Sequence, residues 1–271
     1  MSRIVVLIFS LLLTEISLSQ PINDSCHHAI VLGDLTTKQF FSADYSQATE
    51  SLDASCESIN NVNRDLWYAF TMPFTGNVEL DGLSGIDRAT LFDQGGGTEL
   101  SCAAGDQFYQ GLSAGVSYLL RLSTAQPNRV INPEIIAHIL AANDECNAAF
   151  AITDLANEQT IQLDSRNATF SSGLSCDFSG GANVDLWYVF TMPFDGRLIT
   201  EGVYSVARVG LVDGCGVGAV EIACNQGGAY FENLVGGQLY YLRYAMPAIL
   251  AVPDAFTLQA FSIASNDDCT A

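Results

Sequence analysis

Asp65-Leu66-Trp67-Tyr68-Ala69-Phe70-Thr71-Met72-Pro73-Phe74 returns 120 residues later as Asp185-Leu186-Trp187-Tyr188-Val189-Phe190-Thr191-Met192-Pro193-Phe194. Leu66, Tyr68, Phe70 and Met72 share one face of an extended chain, and Trp67, Ala69 and Thr71 share the other. This is the period of two that defines a β-strand. Pro73-Phe74-Thr75-Gly76 and Pro193-Phe194-Asp195-Gly196 end the two copies with turn-forming residues. Tyr68 and Phe70, with Tyr188 and Phe190, are expected to anchor a core, and Trp67 and Trp187 to fill the opposite face. An indole on the solvent side would instead make a sugar-stacking platform, so Trp67 and Trp187 are the candidate binding residues.

The repeat extends well beyond ten residues. Asn23-Asp24-Ser25-Cys26 matches Asn143-Asp144-Glu145-Cys146, and Cys56 falls on Cys176. Leu91-Phe92-Asp93 matches Leu211-Val212-Asp213, and after a two-residue insertion Glu99 and Cys102 match Glu221 and Cys224. Gly115, Tyr118, Leu120 and Arg121 then match Gly237, Tyr240, Leu242 and Arg243. The expected organisation is a leader over 1–19, one module over 20–142, a second over 143–265, and the start of a third over 266–271, where Asn266-Asp267-Asp268-Cys269 repeats the opening. A third opening at that point leads to the expectation that the sequence is the front of a longer modular protein.

Further short alternating runs at 77–81, 89–93, 116–122 and 134–140 are separated by turns bearing Gly, Asn and Asp. The only helical signal is a short turn over 24–30 with Asp24 as its cap. Many short strands at this spacing predict an all-β chain of two tandem antiparallel β-sandwich modules, with disulfides inside each module.

Arg3 followed by the apolar run Ile4–Leu13 and Ser17-Leu18-Ser19 reads as a cleaved export signal, too short to span a bilayer. No other stretch is apolar enough to cross a membrane, so the mature chain is expected to be secreted or held at the cell surface. Its formal charge is −20, from 30 acidic against 10 basic residues, with Lys38 the single lysine. Such a surface repels phosphate backbones and anionic lipid, which excludes nucleic acid as a partner and leaves an extracellular glycan or protein surface.

Eight cysteines in an exported chain read as disulfides. The 30-residue separation common to Cys26/Cys56 and Cys146/Cys176 suggests those pairings, with Cys215–Cys224 across a hairpin. Gly95 stands where the first module would need its own equivalent of Cys215, so Cys102 is expected to be unpaired, and Cys269 lacks a partner within the sequence.

The case for catalysis is weak. His27 and His28 become Asn147 and Ala148 in the second copy, and His138 falls opposite Phe261. No G-x-S-x-G motif occurs, and no basic group adjoins Cys102 to activate it. The repeated carboxylates Asp24, Asp34, Asp65, Asp93 and Glu99 raise the question of calcium, for which Asp93 and Asp213 are the candidate ligands. Both precede Gly-rich turns where Asp is usual, so no cofactor beyond a structural calcium is entertained. Arg121 and Arg243 are expected at strand edges, paired to an acid.

The Asn-Asp-x-Cys opening, the Asp-Leu-Trp-Tyr-x-Phe-Thr strand, the Leu211-Val212-Asp213-Gly214-Cys215-Gly216 hairpin and the closing Gly237-x-x-Tyr240-x-x-Arg243 strand resemble tandem repeats of secreted bacterial surface proteins. They are similar to the bacterial pre-peptidase C-terminal domain. That resemblance implies jelly-roll-like, non-catalytic modules carried beside peptidases, hydrolases or adhesive repeats, and it carries over no catalytic residue. The leading expectation is therefore binding, adhesion or spacing, with glycan as the ligand to test. The alternatives are accessory domains of a secreted peptidase or glycoside hydrolase, and a stalk.

Overall fold

The computed structural model describes residues 19–51, 54–57, 63–93, 97–171, 173–178 and 183–263. The leader over 1–18, Gly95, and the third opening with Cys269 lie outside the described residues.

The first copy forms β1 (Ile30–Val31), β2 (Gln39–Phe40), β3 (Ala43–Asp44), β4 (Arg64–Thr71), β5 (Gly76–Asp81), β6 (Asp87–Phe92), β7 (Glu99–Ala104), β8 (Gln107–Leu112), β9 (Ser117–Thr124), β10 (Val130–Ile131) and β11 (Glu134–Ile139). Two sheets face each other, a five-stranded one in the order β1-β4-β9-β6-β7 and a four-stranded one in the order β2-β11-β5-β8, with β3 and β10 paired at one side. All pairings are antiparallel except β1 with β4.

The second copy repeats the plan with β12 (Phe150–Ile152), β13 (Gln159–Asp164), β14 (Asn183–Thr191), β15 (Gly196–Glu201), β16 (Arg208–Val212), β17 (Glu221–Gln226), β18 (Ala229–Leu234), β19 (Leu239–Pro247) and β20 (Pro253–Ser262). Its sheets run β12-β14-β19-β16-β17 and β13-β20-β15-β18. The chain is therefore all-β, two sandwiches in tandem.

The repeated ten residues are β4 and β14 with their following turns, each hydrogen-bonded between two neighbouring strands of the five-stranded sheet. Leu66, Tyr68, Phe70 and Met72 point into the first core, where they meet Val78, Leu80, Leu120, Leu122 and Ile135. Leu186, Tyr188, Phe190 and Met192 do the same against Leu198, Leu242, Phe231 and Phe256. Full burial of a side chain of this size contributes about 1.5–3 kcal/mol, so each strand is a main source of its module's stability.

The short helical turn is a 3-10 turn at Cys26–His28 whose N-cap residue, Ser25, makes no side-chain cap bond. Asp24 is thus not a cap. Its carboxylate instead accepts from Thr49 N and Thr49 Oγ1, both at 2.6 Å, fastening the module's start to the segment that leads into β4. Asp144 holds Thr169 in the same way.

The disulfides differ from the expected pairing. They are Cys56–Cys102, Cys176–Cys224 and Cys146–Cys215, with Cα separations of 5.4, 5.5 and 5.7 Å, and Cys26 is free. Cys102 and Cys224 lie on β7 and β17, beside the segment that covers the outer face of the five-stranded sheet, and they bind Cys56 and Cys176 on that segment. Cys146 reaches across to the β16–β17 hairpin, and the first module has no cysteine there to hold Cys26. Equal spacing misled because every pair within a repeated module recurs at nearly equal spacing.

The two modules touch. Phe108 on β8 packs against the second module's core, and Asn77 on β5 donates from Nδ2 to Arg166 O at 3.0 Å and Ala168 O at 2.7 Å. Gln110 Nε2 donates to Asn183 O at 2.5 Å, and His138 Nε2 lies 2.8 Å from Glu79 Oε2 behind this contact.

Candidate functional site

Alternation along β4 and β14 sends Asp65, Trp67, Asp185 and Trp187 to the outer face of the five-stranded sheets. Register then sets Trp67 opposite Arg121 on β9, and Arg121 opposite Thr90 on β6. The second module sets Trp187 opposite Arg243 and Arg243 opposite Gly210. These arginines are not at strand edges. They lie on central strands, fully buried, because the segments leading into β4 and β14 fold back over them.

In the first module Arg121 Nε donates to Asp65 Oδ2 at 2.8 Å, Nη2 lies 2.7 Å from the same oxygen, and Nη1 donates to Glu57 Oε1 at 2.8 Å. Asp65 also accepts from Ser51 N at 3.0 Å, Ser51 Oγ at 2.8 Å and Trp67 Nε1 at 3.2 Å. In the second module Arg243 Nε donates to Asp185 Oδ2 at 2.7 Å and Nη1 to Asp177 Oδ1 at 2.5 Å. Ser171 and Trp187 Nε1 complete the shell of Asp185. Among the described residues neither Arg121 Nη2 nor Arg243 Nη2 makes a hydrogen bond, and Phe170 and Trp187 lie near the Arg243 guanidinium at 5.0 and 5.9 Å.

Burial pushes the Asp185 carboxyl up to about 6, against the pull of Arg243 and Ser171. Burial pushes Asp65 upward too. One guanidinium between two acids leaves each cluster without positive charge, so neither is an anion receptor.

Trp67 is 2% exposed and Trp187 7%, so neither indole is an open platform on the module surface. Phe92 lies over Trp67 with ring centroids 5.4 Å apart. Trp187 instead lines a cleft of about 460 Å³ together with Arg243, Val212, Leu174, Glu145, Glu221 and the β16–β17 hairpin. Clefts of about 300–1,000 Å³ are the usual size for small-ligand sites.

The calcium candidates act as turn caps. Asp93 Oδ1 accepts from Gly97 N and Thr98 N, both at 3.2 Å, and Asp213 Oδ1 accepts from Val220 N at 2.7 Å. Among the described residues no three His, Cys, Asp or Glu side chains gather where they would hold a metal. His27 and His28 are exposed, while His138 is held in the inter-module contact. No helix among the described residues is long and apolar enough to cross a membrane.

A comparison with curated proteins finds no match. Solved structures give distant likenesses. The CUB1-EGF-CUB2 domain of human MASP-1/3 is 10% identical, with 82% of this chain and 99% of that one covered and a TM-score of 0.23. The corresponding domains of rat MASP-1 are 9% identical, with 86% and 100% covered and a TM-score of 0.24. A protein from Burkholderia cenocepacia is 10% identical, with 84% and 82% covered and a TM-score of 0.26. Overlap this slight says nothing of function. The family described as Galactose binding domain-like, of the T9SS-associated type, matches residues 22–134 and again 142–263. That match supports galactose-binding-like repeats, not the pre-peptidase C-terminal domain the motifs resemble. Two consecutive copies spanning most of the sequence establish that this chain belongs to the Galactose binding domain-like family.

Proposed function

We propose that the chain is a non-catalytic carbohydrate-binding accessory of an extracellular protein. The observation that carries this reading is the double match to the Galactose binding domain-like family. Three disulfides and the T9SS association in the family's name support an oxidising, extracellular setting. The surface favours uncharged polymer over nucleic acid, since the formal charge is −20. A spacing role accompanies binding, because Phe108 and Asn77 fix one module on the next. Whether the modules serve adhesion or deliver a hydrolase or peptidase to its substrate depends on the protein that carries them.

The test is retention of the chain on columns of neutral polysaccharides, with release by the soluble sugar. Retention that free sugar reverses supports the reading, and passage through every column in a broad panel defeats it.

A further inference from the structure

We propose that ligand binding belongs to the second module alone, in the cleft between Trp187, Arg243 and the β16–β17 hairpin, and that the ligand is a neutral, hydroxyl-rich ring of single-sugar size. This rests on the carbohydrate reading above and adds to it a site and a ligand class.

Three differences between the copies converge on this place. Phe92, which covers Trp67 in the first module, is replaced by Val212, whose side chain is too short to cover Trp187. Thr90 and Ala54 are replaced by Gly210 and Leu174. A Cβ at Gly210 would lie 2.2 Å from Leu174 Cδ1, so the glycine is what admits Leu174 as the cleft wall. The hairpin residues Gly214, Gly216, Val217 and Ala219 form the rim, and Cys146–Cys215 ties that rim to the module's opening turn. In the first module Cys26 has no such partner. Arg243 Nη2, like Arg121 Nη2, makes no hydrogen bond among the described residues, and in the second module the cleft reaches that guanidinium. A donor buried without a partner costs stability unless something supplies one, and a ligand oxygen would do so.

The chemistry of the cleft selects the ligand. Asp185 and Asp177 already neutralise Arg243, and Glu145 and Glu221 line the walls, so an anion meets net negative charge. A cation would find Asp177 and Asp185 engaged by Arg243 and Glu221 engaged by Ser175, which leaves Glu145 alone to bind it. An uncharged ring satisfies both features, setting C–H groups against the part of Trp187 that lines the cleft and turning a hydroxyl oxygen toward the guanidinium.

The experiment uses the full chain and titrates galactose, glucose, mannose, xylose and their short oligosaccharides by calorimetry. Val212→Phe rebuilds the first module's filling, and Ala219→Trp closes the mouth from an exposed rim position with no effect on the core. Each should weaken the affinity of whichever sugar binds at least tenfold, while Phe92→Val leaves it unchanged. If either folded variant keeps wild-type affinity, the cleft is not the site, although the carbohydrate reading stands. If the wild type binds none of the panel, the carbohydrate reading fails and this proposal fails with it.

Discussion

Arg121 and Arg243 are the largest fully buried side chains among the described residues, and each is buried as a charge. A guanidinium out of water is tolerated only where acceptors surround it, which Asp65 and Glu57 provide for Arg121 at 2.7–2.8 Å. Deleting the cation while keeping the acids should therefore be costly. Arg121→Met is expected to lower stability by about 3–5 kcal/mol at neutral pH, read by urea unfolding, because two carboxylates remain buried side by side. The loss should be smaller at about pH 4 than at neutral pH, because burial pushes the Asp65 carboxyl upward and its protonation removes an uncompensated charge. An equal loss at both pH values would mean that packing, not charge, is what Arg121 contributes.

Among the elements, β5 shows how charge is placed at the junction between modules. Burial, and then the neighbouring Glu79 and Asp106, push the Asp81 carboxyl up from 3.8 to about 6. Its folded-state value lies above its unfolded one, so the folded chain holds the proton more tightly. Ionising Asp81 then weakens the fold, a cost absent below about pH 4 and complete above about pH 6. Asp81→Asn removes that cost and is expected to raise Tm at pH 7 while leaving it unchanged near pH 3.5. A Tm gain that is the same at both pH values would point to something other than this titration. Glu79, beside it, shifts the opposite way because its hydrogen bond to His138 favours the charged form.

At the scale of the whole molecule the repeat is not a pair of equals. The outer face of the first module's four-stranded sheet is taken up by the second module, through Phe108, Asn77 and Gln110. The corresponding residues of the second module, Arg197 and Tyr230, face solvent. Phe108→Ala should uncouple the two sandwiches, with a loss of about 2–3 kcal/mol, below that of a fully buried Phe since Phe108 is only half-buried. Calorimetry should then show two unfolding transitions in place of one. A single undivided transition in the variant would mean that the remaining polar contacts suffice to join the modules.

The sequence by itself determined the strands, the repeat and the β-sandwich class. Alternation in Asp65–Met72 is a local property, since side-chain direction along an extended chain depends on nothing beyond the chain. It also determined that Tyr68 and Phe70 are core residues, because large apolar side chains on one face have no other stable place. The disulfide pairing was out of its reach, as Cys56 could close on Cys26 or on Cys102 with the repeat equally well respected. So was the depth of Arg121, which depends on a covering segment far away in sequence, and so was the docking of one module on the other. The cleft was legible only in hindsight: Phe92 against Val212 and Thr90 against Gly210 are visible in the aligned copies. That they concern one place follows only once β6, β9 and β4 lie side by side. Local periodicity is written in neighbouring residues, whereas pairing, burial and cavities are set by which distant segments meet, and the tertiary structure alone decides that.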